Sequence, residues 1–75
     1  MTGAAAVPAL RLRVNGSERE VRAGSSVAEL VRELAGEARM VAVERNGDIV
    51  PRAEWELTPL GAGDRVEIVR FVQGG

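Results

Sequence analysis

Leu10, Leu12 and Val14 alternate with Arg11 and Arg13, the period-two pattern of a strand with one buried face. Asn15-Gly16 follows at once and predicts a tight two-residue hairpin turn. The return strand, Ser17 to about Ala23, sets Glu18, Arg19, Glu20 and Arg22 around one clear core residue, Val21. Charge on both faces discourages further pairing, so this strand is expected at a sheet edge.

Gly24-Ser25-Ser26 breaks the strand, and Ser26 with Glu29 three residues on forms a capping box that starts a helix. Val27, Leu30, Val31 and Leu34 make one apolar stripe, Glu29, Arg32 and Glu33 take the wet side, and Gly36 suits the C-terminal cap. Val41 and Val43 then alternate with Ala42 and Glu44 as a third strand, and Asn46-Gly47 marks a second tight turn into Ile49 and Val50. Pro51 lacks a backbone donor, so the fourth strand is expected to be short and at an edge. Arg52 to Leu60 is expected to hold a turn of helix or 3₁₀ helix that lays Trp55 over the open end of the core; a ligand-stacking role is the alternative for that ring. Gly61 to Asp64 forms the last turn, and Arg65 to Val72 the final strand.

Hairpin, helix, strand, short strand and long strand, in that order, predict an α+β, β-grasp (ubiquitin-like) fold. The expected sheet is mixed, with order 2-1-5-3-4, strands 1 and 5 parallel in the middle and the helix across one face. Residues 9–72 form the domain in this reading, with 1–8 a flexible leader and 73–75 a flexible tail.

Composition narrows the chemistry. A chain of 75 residues with formal net charge -1 has a core near the lower limit for unaided folding and little room for an internal active site. With no cysteine and no histidine, disulfides, thiol nucleophiles, zinc sites and the commonest general base are absent. No self-contained catalysis is expected, and no metal. One tryptophan, one phenylalanine and balanced charge argue against nucleic acid as a partner. No stretch approaches the ~20 apolar residues of a membrane span, and Met1 to Val7 lacks the charged start of a signal peptide, so the expected location is cytoplasmic. All ten basic residues are arginine. A chain without lysine cannot acylate its own side chains if its carboxyl end is activated, although a bias toward arginine codons would leave the same mark.

The sequence closes on Gly74-Gly75, one residue after the final strand. Two residues without side chains can thread extended into a narrow active site and present a carboxylate there. Three segments strengthen that reading: Asn46-Gly47-Asp48-Ile49-Val50-Pro51-Arg52 with Trp55, Gly63 through Val69, and the terminal diglycine. Together they resemble the ThiS family of thiamine-biosynthesis sulfur carriers, from Leu10 onward. The leader lies outside the resemblance, and Arg45 departs from the apolar residue its strand parity favours; its stem is expected to pack while its head reaches water.

The resemblance implies a sulfur carrier rather than an enzyme. An adenylating, E1-like enzyme would use ATP to convert the Gly75 carboxylate into an acyl-adenylate, giving an otherwise inert carboxylate a leaving group. Sulfur from a cysteine-desulfurase persulfide would displace AMP, and the thiocarboxylate would serve thiazole synthase. No cofactor would be bound; the cargo is covalent sulfur. Gly74 would grant access to the reacting carbon.

The final strand adds an expectation about docking. Val66 and Ile68 share the core parity, leaving Glu67, Val69 and Phe71 on the opposite face. With Ala42 on the neighbouring strand, and with Val72 and Gln73 leading into the tail, Val69 and Phe71 would form an apolar docking patch for both partner enzymes. A bulge that turns Phe71 or Val69 inward is the alternative. Arg11 and Arg13 share the open face and are expected to pair with Glu67 across strands. Other functions stay open at this point: a carrier for molybdopterin or cysteine synthesis, a ubiquitin-like protein modifier, and a non-covalent adaptor.

Overall fold

A computed structural model of the chain describes residues 8–37 and 39–71. Five strands form one mixed sheet in the order β2-β1-β5-β3-β4. They are β1 (Ala9–Val14), β2 (Ser17–Arg22), β3 (Val41–Arg45), β4 (Asp48–Ile49) and β5 (Arg65–Arg70), with helix α1 (Val27–Ala35) after β2 and a 3₁₀ helix (Arg52–Leu57) after β4. Strands β1 and β5 are parallel at the centre, and β3 runs antiparallel to β5. This is the β-grasp arrangement that the element order predicts.

Both Asn-Gly turns form as the sequence predicts. Asn15 and Asn46 sit at φ 51° and 53° and are followed by Gly16 and Gly47 at 85° and 89°, the left-handed conformations a two-residue hairpin turn demands. The capping box on α1 is complete: Glu29 N–H donates to Ser26 Oγ, and Ser26 N–H to Glu29 Oε1. Gly36, at φ 60°, ends the helix by donating to the Arg32 carbonyl.

The core lies between α1 and one sheet face, with Leu12, Val27, Val43 and Val66 at its centre. Ala28 and Ala35 join Val27, Leu30 and Val31 on the buried side of the helix, whereas Leu34, expected in the stripe, stands 38% exposed in the last turn. Trp55 closes the core, 6% exposed, with its indole N–H donating to the Val50 carbonyl at 2.9 Å. Arg52 lies 4.5 Å over the ring, a cation–π contact on the solvent side. Trp55 is therefore a lid for the core. Val50, expected within the fourth strand, falls just after it and is buried.

Of two expectations about arginines, one is extended and one is corrected. Arg45 keeps its side chain 34% exposed, as expected of a head that reaches water, but its Nε also donates to Asp64 Oδ2 at 2.7 Å, a partner not foreseen from the sequence. The cause lies in the turn before β5, where Asp64 is 7% exposed and supplies a buried charge in need of a partner. Arg11 and Arg13 do not pair with Glu67. Arg11 meets Glu20 on β2 at 3.2 Å, and Arg13 donates to the Gly16 carbonyl at 3.2 Å. Antiparallel pairing sets Glu20 directly opposite Arg11, a shorter reach than crossing to β5.

Candidate functional site

The open face of the sheet, opposite α1, is where β5 presents its odd-numbered side chains. Alternation buries Val66 and Ile68 and exposes Arg65, Glu67 and Val69. The strand runs without a bulge to its end. Phe71 follows in the same parity, 54% exposed, and Val69 is 46% exposed. Of the two readings of these side chains, the exposed one is correct.

Register brings the candidates together. Ala42 on β3 is directly opposite Val69, and the Phe71 N–H donates to the Met40 carbonyl at 2.8 Å, carrying the β3–β5 ladder one step past the strand. A shallow groove of about 650 Å³ results, lined by Ala42, Val69 and Phe71 together with Val43, Ile49, Glu44 and Glu67. Ile49, 64% exposed, is a member that strand parity did not reveal, because β4 spans only Asp48–Ile49 and offers no alternation to read. Val72, Gln73, Gly74 and Gly75, the remaining candidates, lie outside the described residues.

The groove is apolar at its tail end and acidic behind. Glu44 and Glu67 are direct cross-strand partners, and neither makes an ion pair among the described residues. Like charges placed opposite each other cost stability, so this pair works against the fold. Farther along the same face, Arg13 stands beside Arg65 in the parallel pairing of β1 with β5. A cation facing the glutamates and an apolar group filling the groove would both find partners here.

At its start, β5 is anchored through Asp64. Its carboxylate accepts from Arg45 Nε at 2.7 Å, from Asn46 Nδ2 at 3.0 Å and from the Gly61 N–H at 2.7 Å. Burial pushes the Asp64 carboxyl upward, but the hydrogen bonds from Arg45, Asn46 and Gly61, with the Arg45 charge, outweigh it and hold the group below its ordinary value. Asn46 Oδ1 in turn accepts the Arg65 N–H at 2.9 Å. A second asparagine acts farther along: Asn15 Oδ1 accepts the Ile68 N–H at 2.8 Å, and Asn15 Nδ2 donates to the Ile68 carbonyl at 3.2 Å. Both turn asparagines thus hold the strand that leads to the diglycine.

The described residues offer no cluster of three or more potential metal ligands, and none of their helices is long and apolar enough to cross a membrane.

Comparison with known proteins agrees with this geometry. A model of the ThiS family matches residues 12–75. A thiazole synthase from Paramagnetospirillum magneticum is 42% identical over 66 residues, which make up 88% of this chain and 20% of that protein. A thiazole synthase from Magnetococcus marinus is 32% identical over 66 residues with the same coverage. The chain therefore spans a fifth of the length of these curated relatives, 20% of each. Among solved structures, the crystal structure of a thiamine biosynthesis protein (ThiS) from Geobacter metallireducens superposes with TM-score 0.74 at 35% identity, covering 88% of this chain and 100% of that one. An NMR structure of a thiamine biosynthesis protein from the same organism gives TM-score 0.69 at 35% identity, covering 88% of each chain.

Proposed function

The chain belongs to the ThiS family, and from that premise we propose that it carries sulfur for thiazole formation in thiamine biosynthesis, as a co-substrate of partner enzymes. The carboxyl group of Gly75 is the reacting group. An adenylating enzyme transfers AMP from ATP to it, releasing pyrophosphate; persulfide sulfur attacks the acyl carbon and expels AMP; reduction of the resulting acyl disulfide by a thiol frees the thiocarboxylate. Each displacement needs a leaving group that a bare carboxylate lacks. Gly74 and Gly75 leave the partner room to enclose the acyl carbon.

The observation that carries this reading is the open-face groove of Ala42, Ile49, Val69 and Phe71, set on the strand that precedes Gly74-Gly75 in sequence. A partner seated on it is guided to the tail, with Val72 and Gln73 as the connecting contacts. Half-exposed Phe71 is the expected anchor, since large aromatic side chains dominate interface energetics. Both the adenylating enzyme and the thiazole synthase are expected to use this face in turn. The thiazole synthase relatives favour the thiamine pathway over carriers for molybdopterin or cysteine.

Deleting Gly75 tests the reading against a non-covalent adaptor. The shortened chain is expected to unfold at the same denaturant midpoint as the full chain and to support no sulfur transfer. Retained activity after the deletion would contradict the proposal.

A further inference from the structure

Main-chain pairing between β1 and β5 is short, covering Arg13 with Arg65 and Val14 with Val66. In a parallel ladder, a residue that donates its N–H to one neighbour next offers its carbonyl to the residue two positions on, and the rungs continue at even spacing. Arg13 N–H donates to the Asp64 carbonyl and Asn15 N–H to the Val66 carbonyl, both at 2.9 Å. The next rung should join the Ile68 N–H to the Asn15 carbonyl, and the following one should bring a β1 donor to the Ile68 carbonyl. Neither is available, because at Asn15 the backbone turns to φ 51° and β1 folds back into β2.

The Asn15 side chain supplies both missing rungs. Its Oδ1 stands in for the lost carbonyl, accepting the Ile68 N–H at 2.8 Å, and its Nδ2 stands in for the lost donor, reaching the Ile68 carbonyl at 3.2 Å. Only a carboxamide combines acceptor and donor in this way; aspartate keeps the first and loses the second. Beyond Ile68, the pairings of β5 are with β3 alone, through Val41 opposite Arg70. Among the described residues, Asn15 is thus the last fixed point on the β1 side ahead of Val69 and Phe71.

We propose that Asn15 is a positioning residue, whose side-chain amide extends the β1 pairing to Ile68 and fixes the path along which β5 presents its docking face to the adenylating enzyme. The role rests on the carrier reading. Asn46 supplies an internal control, because it occupies the same turn conformation but holds β5 at its start, through Asp64 and Arg65. Loss of Asn15 releases the end of the strand that the partner meets; loss of Asn46 releases the end it does not meet. A released strand lowers the fraction of molecules ready to bind and raises the apparent dissociation constant in proportion, while leaving the bound complex intact.

The test uses the full chain, the adenylating enzyme of the same organism and ATP, with pyrophosphate release measured as the carrier is titrated. Asn15→Gly keeps the left-handed turn, which glycine adopts freely, and removes both side-chain bonds; Asn46→Gly does the same at the other turn. Asn15→Gly is expected to speed hydrogen exchange of the Ile68 N–H and to raise KM for the carrier several-fold at unchanged kcat, with Asn46→Gly leaving KM near the wild-type value. Equal KM increases in the two variants, or an unchanged KM in Asn15→Gly despite faster exchange at Ile68, would overturn the role. If Asn15→Gly fails to fold, Asn15→Asp, which keeps the acceptor and the turn, is read against the same control. A wild-type chain that elicits no pyrophosphate would instead refute the carrier reading, and this role with it.

Discussion

Arg45 Nε donates to Asp64 Oδ2 at 2.7 Å, joining the end of β3 to the residue just ahead of β5. The carboxylate is 9% exposed and the arginine side chain 34%, so the pair is partly shielded from water. With Asn46 and the Gly61 N–H also donating to it, Asp64 closes a four-residue knot at the start of the functional strand.

Removing that charge is costly. Asp64→Asn leaves donors from Arg45 and Gly61 facing an amide nitrogen or an unfilled acceptor position, and is expected to lower stability by about 2–4 kcal/mol in denaturant unfolding. The pH dependence follows from the sign of the shift. The Asp64 carboxyl is held below its ordinary value of 3.8 in the folded protein, so its contribution is complete above that value and is lost as pH falls through the lower, folded-state one. Acid titration of the wild-type protein should show this loss, and the Asp64→Asn variant should show a flatter acid limb.

Phe71→Ala should separate binding from folding. Phe71 is 54% exposed, so truncation is expected to change unfolding free energy by less than about 1 kcal/mol while weakening affinity for the adenylating enzyme at least several-fold. Titration calorimetry alongside denaturant unfolding measures both. A large stability loss with unchanged affinity would place Phe71 in the fold rather than the interface.

Glu44 and Glu67 oppose each other across β3 and β5. Glu67→Gln is expected to raise stability by about 0.2–1 kcal/mol, and added salt should stabilise the wild type more than the variant. If these glutamates meet a basic group on the partner, the same substitution should slow association at low ionic strength. Stopped-flow binding as a function of salt measures that effect.

Trp55 is 6% exposed and is the only tryptophan. Trp55→Ala is expected to cost about 3–5 kcal/mol, a large share of the stability of so small a domain. In the wild type its fluorescence should report the same unfolding midpoint as circular dichroism.

Much of the fold was legible because local signals agreed with one another. Two Asn-Gly turns, a capping box and the strand parities of β1 and β5 each specified one element, and their order left one sheet topology. Trp55 was legible for a similar reason, since a large ring between two prolines in a small domain has little to do but close the core. The ion pair of Arg45 was not legible because its partner, Asp64, sits in a turn far along the chain, and no periodicity links the two. The role of Asn15 was hidden in the same way: as a turn residue it is fully explained locally, and its bonds to Ile68 cross 53 positions. Arg11 was assigned to the wrong strand because parity gives the face of a side chain but not which of two flanking strands offers the nearer charge. At the candidate site, parity placed Val69 and Phe71, while the two-residue β4 carried too little pattern to reveal Ile49.

Intact-mass spectrometry tests the central claim most directly. The full chain is incubated with the adenylating enzyme, ATP and a persulfide sulfur source under reducing conditions, and then fragmented to locate any change. The expected product is one oxygen-to-sulfur exchange confined to Gly75, dependent on ATP and absent when Gly75 is deleted. Recovery of only unmodified chain, or of isopeptide conjugates to other proteins without any exchange at Gly75, would contradict the carrier account.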